Sequence, residues 1–314
     1  GWLVPLRRAD VDPGRYEAPG AIAQALQRIG DGRYISVAPN LASGRWYLTA
    51  QGPSDWPLLA SQRSMLLGLE DVQGYNPIQI GRYWAFVRAV APGPLEYNAA
   101  VLPGPPPVAF DLLQISFIIR SADVFVPGPP QSELLREGGW ALFRSSPDPR
   151  SRASLVSSWS VLSDRDEVLA SVTAPNFDPA RRVLLERDPG LGPSPPPTGR
   201  IPGTVSYEQL DAQSASITVQ SSAPAIVLIR TPYDPNWHAT VDGKPAPLLA
   251  ADYLVQGVPV PAGHHRIDLA YDDPWIGYGV LGSGAALAIL LVFAVALRGR
   301  PIAAGTVTEA RSER

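Results

Sequence analysis

The chain has 314 residues, of which 45% are apolar and 18% charged, and its formal net charge is −3. This near-neutral charge excludes the basic footprint of a nucleic-acid-binding protein, and the absence of cysteine excludes disulfides, thiolate metal sites and cysteine nucleophiles. The 35 prolines are about twice the usual share and indicate long loops and a β-rich architecture.

Residues 1–187 combine helical and strand patterns, which is typical of a mixed α/β domain. The apolar spacing predicts helices at Gly20–Ile29, Pro77–Val90 and Asp164–Ser171, with Asn76 and Ser163 as candidate caps of the last two. Apolar runs predict strands at Arg33–Val37, Ile115–Ile119, Trp140–Phe143, Leu155–Val161 and Arg182–Leu185.

A segment rich in proline and glycine, residues 188–202, is the best candidate for a linker between domains. After it the pattern is β throughout: apolar residues alternate around Ile217 and Val219, and Asp242-Gly243 is a strong hairpin signal. These strands predict a β-sandwich over residues 203–273, which Trp237, Asp242 and Gly243 help to build.

The sequence from Trp275 to Leu297 has no charged residue and is long enough to cross a bilayer as a helix. A buried core helix is the alternative interpretation. Arg298 and Arg300 follow the span, so the positive-inside rule places residues 298–314 in the cytoplasm and the preceding domain outside. Glycines in the first half of the span would let other transmembrane helices pack closely. The expected fold class is therefore α+β with one C-terminal transmembrane helix.

Polar and aromatic side chains are densest around the sequence LLGLEDVQGYNP. Glu70 and Asp71 form a carboxylate pair that could do acid–base work or bind a cation, or that could cap a turn or pair with Arg82. The nearby aromatic residues suit the flat faces of sugar rings, although core packing uses the same residue types. The expected ligand contacts are Glu70, Asp71, Tyr75, Asn76, Arg82 and Tyr83.

Neither a metal site nor a cofactor is expected. His264 and His265 are adjacent and follow a Pro-Ala-Gly sequence, so we expect them in a solvated turn, and we expect His238 at the surface. No P-loop, dinucleotide fingerprint or nucleophile elbow occurs in the sequence. No residue of this chain is therefore assigned a catalytic role.

Four blocks of the sequence resemble the YfhO family of large bacterial membrane proteins, in the order in which the family carries them. They are Ser64–Val87, Phe110–Ser121, Asn176–Glu186 and Tyr233–Pro274, which together span most of the chain. The last block, beginning YDPNWHATVDGKPAP, is followed directly by the apolar span. One departure is Asn236, where the family usually has glycine, and asparagine tolerates a left-handed backbone nearly as well.

The resemblance implies a multi-pass membrane protein related to GT-C glycosyltransferases, which move a sugar from a polyprenyl-phosphate carrier to an envelope polymer or lipid. Its catalytic acid is expected in an early extracytoplasmic loop. Because Gly1–Asp10 contains no apolar signal region, we expect the sequence to be a fragment of that longer protein. The expected partners are the bilayer, other transmembrane helices of the same protein, and a lipid-linked sugar or envelope glycan.

Two other functions fit the same residues. The chain could be a non-catalytic module that binds envelope polysaccharide or a partner protein. It could also be a structural cap on a membrane transporter.

Overall fold

The computed structural model describes residues 12–38, 52–60, 63–75, 80–91, 99–102, 104–145, 151–197 and 201–298. Within these ranges the protein combines helices and sheets, and the predicted α+β fold class is confirmed. The chain divides into two units, Gly1–Tyr271 and Asp272–Arg314.

The first part of the larger unit is built around a four-stranded sheet. Its elements are α1 (Pro13–Glu17), α2 (Ala21–Ile29), β1 (Arg33–Val37), a short 3₁₀-helix (Trp56–Leu58), α3 (Arg63–Leu66), β2 (Gly74–Tyr75), α4 (Gly81–Val90), β3 (Ala99–Ala100), α5 (Pro107–Leu112), β4 (Ile115–Arg120), β5 (Ser132–Glu137) and β6 (Trp140–Arg144). The strand order in the four-stranded sheet is β1-β4-β6-β5, and β1 and β4 are parallel. The strands β2 and β3 form a separate antiparallel ladder.

Both faces of the four-stranded sheet are covered, because successive strand residues point to opposite sides. Tyr34 and Phe117 belong to an apolar cluster with α2. Ile35 and Ile118 belong to the other cluster, with Phe86 of α4 and buried residues of α5. The helix α2 fits this role since its buried residues form one stripe, namely Ile22, Ala23, Ala25 and Leu26.

The second part of the larger unit consists mainly of two further sheets. Its elements are β7 (Ala153–Val156), β8 (Trp159–Val161), α6 (Arg165–Val172), β9 (Val183–Leu185), β10 (Gly203–Gln209), β11 (Ser214–Ser221), β12 (Ala225–Pro232), β13 (Trp237–Val241), β14 (Lys244–Ala246), β15 (Leu249–Ala251), β16 (Val255–Val260) and β17 (Gly263–Tyr271). One sheet has the order β10-β11-β17-β13-β14 and the other β7-β12-β16-β15-β9-β8. Ile217 and Ile267 of the first share an apolar core with Val227 and Val258 of the second.

The six-stranded sheet takes strands from both sides of residues 188–202, the predicted linker. The strand β7 pairs with β12, and β9 pairs with β15. Without β7 and β9, the outer edges of β12 and β15 would carry unpaired backbone groups. The sheet is therefore built from residues 153–185 as well as residues 225–260, and the division into domains at residues 188–202 stays a prediction.

A buried ion pair also connects the two parts of the larger unit. Arg230 on β12 donates from Nη2 to Oδ1 of Asp111 on α5 at 2.6 Å, and from Nε to the Asp111 carbonyl at 2.8 Å. Its Nη1 donates to the Ser151 carbonyl and to Ser154 Oγ, both at 3.0 Å. The two charged side chains are 5% and 9% exposed. Removing one partner of such a buried ion pair is strongly destabilising.

Local boundaries differ from the predictions at several places. Asp164, not Ser163, caps α6, because its Oδ1 accepts from two first-turn N–H groups, both at 2.9 Å. The predicted strand Leu155–Val161 is two strands, β7 and β8. The helix α4 begins at Gly81, and its candidate cap Asn76 lies outside the described residues.

The smaller unit contains the helix α7 (Pro274–Arg298). The stretch Pro274–Ala296 has 23 residues and a mean hydropathy of 2.3, and its apolar window is not buried against the rest of the protein. In the described part of the chain this is the one helix long and apolar enough to cross a membrane. It coincides with the span predicted from Trp275 to Leu297, and its exposure is unlike that of a buried core helix.

Candidate ligand-binding site

Glu70 lies between two arginines from distant parts of the chain. Its Oε2 accepts from Arg33 Nε at 2.8 Å and its Oε1 from Arg152 Nη2 at 2.5 Å. Burial opposes ionisation of this carboxyl group, but the hydrogen bonds and charges of Arg152 and Arg33 outweigh it and lower the pKa of Glu70 to about 2. Glu70 is therefore ionised at neutral pH and links β1 to the segment before β7.

Asp71 and Tyr83 lie close to this contact and also make structural bonds. Oδ1 of Asp71 accepts from the Gln73 N–H at 2.9 Å, as in a turn. The Tyr83 hydroxyl donates to the Val72 carbonyl. Burial, reinforced by the charge of Asp71, raises the pKa of Tyr83. Its phenol therefore stays protonated at neutral pH and fixes α4 against the loop before β2.

The remaining expected contacts near Glu70 are described only in part. The backbone of Tyr75 pairs with Ala99 in the ladder between β2 and β3. The Tyr75 side chain and the whole of Asn76 lie outside the described residues. Their role as ligand contacts stays a prediction.

Arg82 is separated from the Glu70 contact, although Tyr83 is its neighbour in sequence. Its Nη1 and Nη2 donate to the two carboxylate oxygens of Glu186 at 2.5 and 2.8 Å, and Nη1 also donates to the Tyr253 carbonyl at 2.8 Å. The guanidinium carbon lies 5.2 Å from the ring centroids of both Tyr233 and Tyr253. Bidentate pairing and two aromatic contacts hold this side chain in one orientation.

Arg82 forms part of the wall of an open cleft with a volume of about 1110 Å³. The cleft lies where the start of α4 meets the start of α6, the end of β9 and the ends of β12, β13 and β17. Four aromatic side chains line it, namely Tyr233, Trp237, Tyr253 and Tyr271. Clefts of this size with aromatic walls and a few polar groups are typical of small-ligand sites.

Trp237 and Tyr271 form an aromatic shelf on this wall. They face each other across the β13–β17 ladder, and their rings meet edge to face with centroids 5.4 Å apart. Both are half-buried, so each is fixed by packing and still presents part of its ring. Such a surface can support the apolar face of a flat ligand while polar groups at its rim bind substituents.

Some of the charged side chains that line the cleft form ion pairs and others do not. Arg82 and Glu186 neutralise each other and are only 10% and 17% exposed. Arg165 and Arg187 are exposed, and neither forms an ion pair with any described residue. The remaining acid is Asp234, whose Oδ1 accepts from the Asn236 N–H at 2.9 Å. The cleft therefore presents two unmatched guanidinium groups against one carboxylate.

Sequence reasoning found Arg82 but missed the rest of the cleft. Trp237 was expected only to help build the sandwich, and no role was expected for Tyr233, Tyr253 or Glu186. A usable signal was present in the sequence YDPNW, where two aromatic residues flank a turn. Tyr253 has no such signal, because it lies in the β15–β16 turn with a positive φ of 65° and meets Arg82 across 171 residues of sequence.

The histidines lie on two neighbouring strands, β13 and β17. His264 and His265 lie in β17 and not in a turn, which corrects the prediction. Nδ1 of His265 is 2.8 Å from Oδ2 of Asp242 in the hairpin, and His238 is exposed, as expected. Among the residues that the structure describes, no group of three or more His, Asp and Glu side chains could hold a metal ion.

Comparison with known proteins identifies one family. The family described as bacterial membrane protein YfhO matches residues 203–283, from β10 into α7. This confirms the sequence resemblance over those residues, together with membrane localisation. The three earlier blocks of resemblance lie outside the match and stay predictions. No curated protein and no solved structure matches the chain.

Proposed function

We propose, on the premise that this is a YfhO-type membrane protein, that the chain is the extracytoplasmic C-terminal part of a GT-C-class glycosyltransferase. In this proposal the cleft beside Arg82 holds the glycan that accepts the sugar. The sugar donor would be a polyprenyl-phosphate carrier, and the catalytic acid would lie in an early loop of the longer protein.

The charges around α7 support the extracytoplasmic placement. Asp272 and Asp273 precede the helix, whereas Arg298 and Arg300 follow it. Positively charged residues favour the cytoplasmic end of a membrane span, so the larger unit is assigned to the outer side.

The observation that carries the proposal is the composition of the cleft. Tyr233, Trp237, Tyr253 and Tyr271 all lie within the part of the chain that matches the family. Aromatic faces beside polar groups suit sugar rings, since one face of a pyranose is apolar and its edges carry hydroxyl groups. Tyr83 supports this cleft by fixing α4, which carries Arg82, to the Val72 carbonyl, while Glu70 and Asp71 stay proposed ligand contacts.

The proposal is tested by sugar transfer in membranes that contain the longer YfhO-type protein. Trp237→Leu removes the aromatic face and keeps an apolar side chain against the core. We expect it to lower transfer about three- to tenfold, mainly through a higher KM for the acceptor. Phe125→Leu is the control, because Phe125 is 85% exposed and does not line the cleft.

Thermal unfolding of both variants separates loss of binding from loss of fold. Transfer that is unchanged in a folded Trp237→Leu protein would contradict an acceptor site in the cleft. Absence of transfer from every polyprenyl-phosphate donor, in a protein shown to be folded, would contradict the enzyme itself.

A non-catalytic polysaccharide-binding module is the second candidate. It is favoured by the Arg82–Glu186 pair, because its two hydrogen bonds hold both side chains in one orientation, as in a rigid binding surface. The upstream sequence distinguishes the two. Many membrane spans with an acidic residue in the first outer loop would support the enzyme, and a single upstream span would support the module.

A further inference from the structure

We infer that the cleft selects saccharides that carry a negative charge next to the ring bound on the aromatic shelf. The inference rests on the proposed function, since it specifies the glycan that this function places in the cleft. It names the chemistry of the ligand, a carboxylate or phosphate group attached to a pyranose.

The first argument is the balance of charge. The Arg82–Glu186 pair is internally neutral and largely buried, so it contributes shape more than charge. Arg165 and Arg187 have no partner among the described residues, and both are exposed at the wall of the cleft. The charged residues that line the cleft are three arginines and two acids, a net charge of +1 in a chain whose net charge is −3.

The second argument is the position of these arginines on different elements. Arg165 begins α6, and Arg187 follows β9 directly after Glu186. Glu186 is fixed by two bonds to Arg82, so the backbone that carries Arg187 is fixed as well. The backbone at Arg165 is held at the start of α6, which Asp164 caps. Two guanidinium groups on rigid supports can bind one acidic group with little loss of backbone freedom.

The third argument is the shelf itself. Trp237 and Tyr271 offer ring surface without charge, so a sugar ring can stack there while its substituent reaches the arginines. A guanidinium group binds carboxylate and phosphate oxygens with the same two-pronged geometry. The geometry therefore favours a negatively charged ligand, and the charge can come from either a carboxylate or a phosphate group.

The test compares three probes that share one ring and differ at C6: methyl glucoside, methyl glucuronide and methyl glucoside 6-phosphate. Binding to the 314-residue chain in detergent micelles is measured by ligand-observed NMR. We expect one or both acidic probes to bind about fivefold more tightly than the neutral probe. The difference should shrink in 0.5 M salt, because the arginines are exposed and salt screens them.

The variant Arg165→Gln/Arg187→Gln should abolish the preference and keep the affinity for the neutral probe. The control Arg181→Gln/Arg182→Gln removes the same charge from exposed residues outside the cleft and should keep the preference. A preference that survives the first pair, or that is lost equally in the control, would overturn the inference.

Equal binding of all three probes would also overturn it and leave the acceptor site of the proposed function intact. Binding of none would overturn both. Whichever acidic probe binds more tightly identifies the carboxylate or the phosphate as the source of the charge.

Discussion

Asp252 carries a buried carboxyl group in the turn between β15 and β16. Its Oδ1 accepts from the Leu184 N–H at 2.8 Å, while its Oδ2 has no partner among the described residues. Burial raises the pKa of Asp252 well above the usual range, and the nearby charge of Asp111 adds to this effect. The hydrogen bond from the Leu184 N–H opposes it. Between the unfolded-state pKa and the raised folded-state pKa, the folded protein therefore holds a proton here that the unfolded chain releases.

This pKa shift predicts that Asp252→Asn stabilises the protein at neutral pH. Asparagine keeps the Oδ1 acceptor and tolerates the φ of 46° at this position. Between the unfolded-state pKa near 3.9 and the raised folded value, wild-type stability falls as pH rises, by up to about 1.4 kcal/mol per pH unit. The advantage of the variant should therefore be largest at neutral pH and vanish near pH 4.

Chemical unfolding of the chain in micelles at several pH values measures this difference. Asp188→Asn, at an exposed aspartate, is the matched control. A stability difference for Asp252→Asn that did not change with pH would show that the carboxyl group is ionised in the folded state.

At the scale of elements, the helix α5 is attached to β12 by the buried Arg230–Asp111 pair. Arg230→Met removes the cation that pairs with the buried Asp111 carboxylate, and we expect a loss of about 3–5 kcal/mol in unfolding free energy. Arg230→Met/Asp111→Leu removes both charges and should recover most of that loss. The control is Arg266→Met, since the Arg266–Asp268 pair is exposed and should change stability little. Equal losses of unfolding free energy in the single and double variants would show that the packing of Arg230, and not its charge, stabilises the protein.

Elements were predictable from the sequence where the signal is local. Alternation around Ile217 and Val219 predicts β11, and Asp242-Gly243 predicts the β13–β14 hairpin, because neighbouring residues carry the whole pattern. The contacts that build the cleft have no such pattern. Arg82 and Glu186 are 104 residues apart, and no local rule pairs them. The two arginine partners of Glu70 likewise come from distant segments, so no local rule pairs them with it.

At the scale of the whole molecule, the sheets on either side of residues 188–202 belong to one folding unit. A fragment of residues 203–271 lacks β7, β8 and β9, so it exposes the edges of β12 and β15 and the buried face around Ile226 and Leu228. We expect this fragment to show no dispersed NMR spectrum and no cooperative thermal transition. A fragment of residues 12–271 should show both. Cooperative unfolding of the shorter fragment would support the domain boundary predicted at residues 188–202.

The shared sheet also sets an order of events during synthesis. The strand β7 ends at Val156, but its partner β12 begins only at Ala225. At about 5–20 residues per second, the ribosome needs on the order of ten seconds to deliver that partner. During this delay Leu155 and its neighbours have no sheet to join. The last strand ends at Tyr271 and the apolar helix begins at Pro274. The emerging chain therefore completes its β layers only as the apolar helix itself is being made, so folding of the larger unit and synthesis of α7 fall within the same few seconds.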